Sequence, residues 1–240
     1  MTTRIAMWSG PRNISTAMMR AWENRPDTSV VDEPFYACYL NASGANHPMS
    51  SVVIKSQSSD WGEVAKNLSS GPCQSEVFYQ KHMTHHMLED VDLSWVKALK
   101  HCFLIRDPVH VVNSYVQKRD TVSAEDIGIV RQLALYEEIG AITGQSIPVI
   151  DARKTLEQPK MTLQRLCEIF SVAFTEKMLH WPSGRRDSDG VWASHWYGAV
   201  EKSTEFSRYH EPELVLNADQ RKVAEESRAA YEQLLSRSLK

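Results

Sequence analysis

Between Arg4 and Ala17 the chain runs from a short apolar stretch, Ile5-Ala6-Met7-Trp8, through Ser9-Gly10-Pro11 to Ser15-Thr16 at the head of an amphipathic segment. A strand that turns within a few residues into a helix is the first half of a βαβ unit. Such a unit needs a parallel partner strand, because only a long crossover can return the chain in the same direction. The turn also has a chemical consequence. Free N–H groups of the first helical turn point at one place, where the helix dipole adds partial positive charge. Arg12 brings a full charge and a fork of donors, and Ser15 and Thr16 bring hydroxyls. The segment is therefore expected to cradle an anion. It lacks the Gly-Lys of a Walker A loop.

The rest of the chain repeats the alternation. Strands are expected at about Arg4–Trp8, Ser29–Val31, Ser75–Lys81, His101–Ile105 and Ile147–Asp151. Helices are expected at about Ser15–Asn24, Pro108–Arg119, Glu125–Thr143, Lys160–Phe170, Thr175–Leu179 and Ala218–Ser238. Asn41–Pro48 reads as a loop, and Val52–Ile54 as a short strand or a helix edge. The pattern predicts an α/β three-layer sandwich with a mostly parallel central sheet and a helical C-terminal part, one domain over residues 1–240. Residues 181–209 carry three of the seven tryptophans with little periodicity, and so are expected to form an irregular lid or cap.

Bulk properties narrow the partners. A net charge of −3 supplies no field for nucleic acid or for insertion into anionic membranes, so anion affinity must be local. No apolar run approaches membrane-spanning length and no secretory segment is evident. Cys38, Cys73, Cys102 and Cys167 show no CxxC spacing, which fits buried thiols in a cytoplasmic protein. A homodimer is compatible with the composition.

In an open parallel sheet the carboxyl ends of the strands share one edge, where ligands bind. Arg12, Glu33, Lys81-His82 and Arg106 follow four of the expected strands, which makes them candidates for one site. After Arg106, Asp107 suits an N-cap and Pro108 a first helical position. Ser114 then lies less than two turns into the helix, where it can share a phosphate with Arg106.

Taken together, two segments carry a resemblance. Pro11-Arg12-Asn13-Ile14-Ser15-Thr16 resembles the 5′-phosphosulfate loop of sulfotransferases, Pro-(Lys/Arg)-Ser-Gly-(Ser/Thr)-Thr. Arg106-Asp107-Pro108 through Ser114-Tyr115, about ninety residues later, resembles their 3′-phosphate motif, Arg-x-Pro-x5-Ser-x-Tyr, with the step from Ser to Tyr one residue shorter. The match covers roughly residues 4–120. It implies a P-loop-like fold and the sulfonate donor 3′-phosphoadenosine 5′-phosphosulfate (PAPS), used without a metal. The acceptor is a hydroxyl or amine of a small molecule. By the same resemblance Gly10, Pro11, Arg12, Asn13, Ile14, Ser15 and Thr16 surround the 5′-phosphosulfate. Arg12 stabilises the leaving phosphate, and Arg106 and Ser114 hold the 3′-phosphate. Arg185 or Arg186, in a basic glycine-containing stretch, closes over the nucleotide. Ile14 stands where the family has Gly, so the turn is expected to manage without a positive-φ residue there.

The acceptor needs a base. Asp32-Glu33-Pro34 resembles the segment that supplies a Glu in the protein-tyrosine and trehalose branches of the family, which nominates Glu33. The histidines after the third strand, His82 and His85, are the rival, beside His86. Their i, i+3, i+4 spacing also invites a zinc reading, but the expectation is no metal. Trp192, Trp196 and Tyr197 are candidates either for the acceptor pocket or for packing. Two other functions stay open at this point. A P-loop phosphotransferase needs a magnesium carboxylate, for which Asp32 is available, and a phosphate lysine, for which nothing is. A nucleotide-binding member without catalysis is the second.

Overall fold

The computed structural model describes residues 2–239. Five strands form one parallel sheet: β1 (Thr3–Ser9), β2 (Thr28–Asp32), β3 (Val77–Met83), β4 (Lys100–Ile105) and β5 (Val149–Asp151), in the order β2-β3-β1-β4-β5. Register sets the shared edge: Ser9 lies opposite Met83 and Leu104, Asp32 opposite Lys81, and Ile105 opposite Asp151. The chain leaves β1 toward β2 and leaves β4 toward β5, in opposite directions. The crevice between the carboxyl ends of β1 and β4 is thus the switch point at which doubly wound sheets bind ligands.

Both sheet faces are covered, which is why the strands are apolar runs rather than alternating ones. Ile5 and Met7 pack with Met18, Met19 and Trp22 of the helix Ser15–Glu23 and with Leu163, Leu166 and Phe170 of the helix Pro159–Phe170. Ala6 and Trp8 point the other way, toward Val111 and Val112 of Pro108–Tyr115 and Leu135 and Ile139 of Ile129–Thr143. A third apolar group lies beside the sheet edge. There Tyr36, Ala37 and Leu40 of the helix Tyr36–Ser43 meet Trp192, Ala193 and Tyr197. Among the described residues no helix is long and apolar enough to cross a membrane.

The expected strands all form, shifted by one or two residues. The helices differ more. Val52–Ile54 belongs to a helix, Ser50–Ser56, and Asn41–Ser43 closes the helix before it, leaving Gly44–Pro48 as loop. The helix Trp61–Ser70, capped by Asp60 through the N–H of Glu63, is absent from the expected elements, although Trp61, Val64, Ala65 and Leu68 recur at helical spacing. The long helix expected at Glu125–Thr143 is two, Ala124–Ile127 and Ile129–Thr143, because Gly128 turns at φ +64°. The last helix likewise divides at Ser227 into Ala218–Glu226 and Arg228–Ser236. Pro108–Tyr115 ends four residues early, while its Asp107 cap and first-position Pro108 form as expected.

The sheet core contains two histidines. His101 accepts from the Trp8 indole N–H at 3.1 Å and is 2.9 Å from the Val96 carbonyl through Nε2, a pairing that suits only the neutral ring. His82 stacks on Trp8, ring centres 4.3 Å apart. Burial pushes His82 down to about 3 and His101 to about 4. The unfolded chain therefore binds protons that the folded one refuses, and stability is lost as pH falls below the ordinary histidine range of about 6.5. Urea midpoints are expected to drop between pH 6.5 and pH 5, and His101→Gln to flatten that slope. An unchanged slope in the variant rules out His101 as a source of it.

Candidate functional site

The loop after β1 is held in an unusual backbone. Arg12 and Ile14 both take positive φ, +60° and +59°. Ile14 thus adopts the conformation that glycine would supply, correcting the expectation that this position does without it. The left-handed conformation costs an L-residue roughly 1–2 kcal/mol, and β-branched side chains tolerate it poorly. Tertiary contacts impose it. Asn13 is buried and donates from Nδ2 to the Leu104 carbonyl at 3.1 Å, Arg106 donates from Nη1 to the Arg12 carbonyl at 2.7 Å, and Ile14 itself packs against the Met18 side of the core. The Asn13 amide thus pins the loop to β4, and the residue also lines the larger of the clefts described below.

The same loop leaves donors unused. Ile14 sits at the N-cap and offers no side-chain acceptor, and the N–H groups of Ser15, Thr16 and Ala17 have no partner among the described residues. Arg12 reaches Ser114 with an Nε–Oγ distance of 3.0 Å, so the two motifs meet across 102 residues of sequence. Among the described residues neither Arg12 nor Arg106 pairs with a carboxylate. Burial lowers the pKa of both, and the charge of Arg12 lowers that of Arg106 further. Two half-buried guanidiniums in one place, with Asp107 and Asp151 acting on Arg106 only from a distance, are costly unless an anion joins them.

Arg12, Ser15 and Thr16 divide two clefts that also share Trp196 and Tyr197. One cleft, of about 330 Å³, is bounded by Arg106, Ser114, Leu156, Ser203 and Ser207. It continues past Arg106 toward Arg208 and Tyr209. The other, of about 80 Å³, is bounded by Glu33, Tyr36, Lys81, His85, His86 and Tyr115. Pro11 lines this second cleft. Gly10 lies beneath, where a Cβ would come within 2.6 Å of the Ile127 carbonyl oxygen.

Glu33 reaches the second cleft from β2, with φ +43° and its Oε1 2.5 Å from Lys81 Nζ. Its Oε2 accepts from nothing among the described residues. Burial raises its pKa, against the pull of Lys81. His85 lines the cleft, while burial pushes it down to about 3. His82 is not brought there. Strand alternation turns it to the Trp8 side, where it contacts Gln80 at 3.1 Å. Arg185 and Arg186 are not brought to the cradle either. Arg186 binds the Pro182 carbonyl and lies 4.0 Å from Glu23, at the far end of the helix that the cradle begins. Trp192 is core, whereas Trp196 and Tyr197 line the clefts. No group of three or more His, Cys, Asp or Glu able to hold a metal exists among the described residues.

Lys81, Asp32 and Tyr197 form a unit that residue order does not reveal. Lys81 Nζ is 2.9 Å from Asp32 Oδ1 and 3.0 Å from Tyr197 Oη, all buried. The signal available for it is a polar run, Gln80-Lys81-His82, on a strand expected to be apolar.

A Gly10→Ala substitution drives a methyl into backbone, so a loss of about 1–3 kcal/mol in urea unfolding is expected. Ile14→Asn, which suits positive φ, is expected to stay within about 1 kcal/mol of wild type, relief of strain offsetting lost packing.

Comparison with known proteins agrees with this geometry. A sulfotransferase domain family model matches residues 3–237. Two Arabidopsis thaliana proteins, branched-chain-amino-acid aminotransferase-like proteins 1 and 2, are 34% and 31% identical over 203 residues, 85% of this chain. The chain spans only 36% of the length of each. Among solved structures, the sulfotransferase domain from the curacin biosynthetic pathway aligns with a TM-score of 0.56 at 14% identity, covering 100% of this chain and 99% of that one. A sulfotransferase from Alicyclobacillus acidocaldarius aligns with 0.55 at 12%, covering 100% and 98%. Those two likenesses establish the shared P-loop-like fold, and the family model across nearly the whole length establishes the rest: the chain belongs to the sulfotransferase family.

Proposed function

We propose that this sulfotransferase takes its sulfonate from PAPS and passes it to a hydroxyl or amine of a small-molecule acceptor. The observation that carries the reading is the pair of guanidiniums, Arg12 and Arg106, without carboxylate partners beside an uncapped helix start. That donor set suits a nucleotide with phosphate at both 5′ and 3′ positions. In this reading Ser15, Thr16 and the free N–H groups hold the 5′-phosphosulfate. Arg106 and Ser114 hold the 3′-phosphate, with Arg208 nearer to it than Arg185 or Arg186. The smaller cleft takes the acceptor, and its volume of about 80 Å³ favours a small reacting group.

The chemistry asked of the residues is modest. As the acceptor oxygen or nitrogen attacks sulfur, the bond from sulfur to the bridging phosphate oxygen breaks, and Glu33 receives the acceptor's proton. Arg12 faces the charge that develops on the departing phosphate. Preorganised donors at such a point usually contribute more to the rate than any other single effect. Glu33 suits the base better than His85, since burial strengthens a carboxylate as a base and weakens an imidazole. Asp32 is already occupied by Lys81, Tyr197 and the Gly190 N–H, which argues against a magnesium-dependent phosphotransferase.

Calorimetry is expected to show tight binding of adenosine 3′,5′-bisphosphate, weaker binding of adenosine 5′-phosphate, and no preference for Mg-ATP. Stabilisation by Mg-ATP alone contradicts the reading. Arg106→Ala is expected to weaken the bisphosphate by roughly tenfold or more, the scale of a hydrogen bond to a charged group. Adenosine 5′-phosphate also loses some affinity, because Arg106 braces the Arg12 carbonyl; equal losses contradict the 3′-phosphate role. With labelled PAPS and a panel of alcohols, phenols and amines, Glu33→Gln is expected to lower kcat by about 10²–10⁴.

A further inference from the structure

The polar residues between β2 and the segment 181–209 form a unit that the chemistry above does not use. Tyr197 Oη lies 2.7 and 2.9 Å from the two Asp32 oxygens, and the hydroxyl accepts from Lys81 Nζ at 3.0 Å and from the Trp192 indole N–H at 3.2 Å. Gly190 adds a backbone N–H to Asp32 Oδ2 at 3.2 Å. The segment is itself fastened to the helix behind it, where Arg20 donates to Asp189 at 2.7 Å. Side-chain exposures of 2% for Lys81 and 1% for Asp32 leave little room for water to substitute for any of these donors.

The charge balance gives the arrangement a purpose. Lys81 is a single cation between two carboxylates, Asp32 and Glu33. Every donor that Asp32 receives from elsewhere frees Lys81 to hold Glu33. Both other donors, the Tyr197 hydroxyl and the Gly190 N–H, come from the 181–209 segment. The remaining groups around Glu33 do not do this. His85 and His86 are neutral through burial, Tyr36 is pushed up by burial, and Arg12 belongs to the anion cradle.

We propose that Tyr197, through Asp32 and Lys81, is a positioning residue for Glu33. This rests on Glu33 being the base. Loss of the hydroxyl leaves Lys81 divided between two carboxylates, one of which then takes up a proton more readily. The Tyr197 hydroxyl also lies 3.4 Å from Glu33 Oε1, and this contact and the attraction to Lys81 both favour the ionised form of Glu33, so weakening either moves its titration to higher pH.

The test is the titration of Glu33 by carboxyl infrared difference spectroscopy on the full chain, with Glu33→Gln to assign the band. Tyr197→Phe is expected to raise the midpoint by about one pH unit, the scale of a lost hydrogen bond to a charged network. Affinity for adenosine 3′,5′-bisphosphate stays within about threefold, since neither Tyr197 nor Asp32 is proposed to bind a phosphate. Should Tyr197→Phe fold poorly, 3-fluorotyrosine at position 197, a stronger donor of the same shape, is expected to move the midpoint down. A midpoint unmoved in whichever protein folds overturns the proposal. Glu33→Gln read by transfer from PAPS separates the two claims. Lost transfer with an unmoved midpoint removes only the Tyr197 role, whereas retained transfer removes Glu33 as the base and the proposal with it.

Discussion

Arg106 donating to the carbonyl of Arg12 is the contact on which the candidate site hangs. It joins the loop after β1 to the end of β4 across 94 residues and holds the loop where Arg12 and Ile14 take positive φ. Strain of this kind persists only where surroundings over-determine it. The surroundings here are the buried Asn13 amide on β4 and the Ile14 side chain in the core. One result is a helix start without a side-chain cap, its N–H groups unspent. Another is two guanidiniums brought together with no carboxylate between them. An ordinary stable loop would have avoided both.

The second organising feature is the buried charge of Lys81, Asp32 and Glu33. Buried ion pairs contribute little net stability, since desolvation consumes most of the Coulomb gain. A cluster with one cation and two carboxylates is poorer still on that score. Its presence beside the anion cradle fits a functional role better than a structural one. The geometry separates the carboxylates by environment: Asp32 is surrounded by donors, and Glu33 keeps one oxygen free toward the cleft. Two neighbouring acids are thereby set to different tasks.

How far the site is legible in the residues depends on whether its parts are local. Strand ends followed by Arg12, Glu33 and Arg106 are legible, because apolar runs stop where the sheet stops and a parallel sheet gathers those stops on one edge. Asp107-Pro108 is legible as a cap for the same local reason. His82 is not, because a one-residue shift in a strand changes the face, and only register against β1 decides it. Arg185 and Arg186 are not, because a basic turn reads the same whether it faces a ligand or Glu23. The helix breaks at Gly128, which takes a positive φ, and at Ser227 are not legible from periodicity, because the apolar spacing runs on through both.

The order of residues alone therefore determined a parallel α/β fold, a strand-to-helix turn without a Walker lysine, and the gathering of Arg12 and Arg106 at one edge of the sheet. These follow from hydrophobic period, turn chemistry and the two motifs, all of which act over a few residues. Tertiary structure alone decided that Ile14 can hold a glycine's conformation, that Glu33 rather than His82 faces the cleft, and that Tyr197 meets Asp32 across 165 residues. Those outcomes depend on which buried groups find partners once the chain has closed. A charge or a strained dihedral is tolerated only when distant segments compensate it, and that compensation has no local signature in the chain.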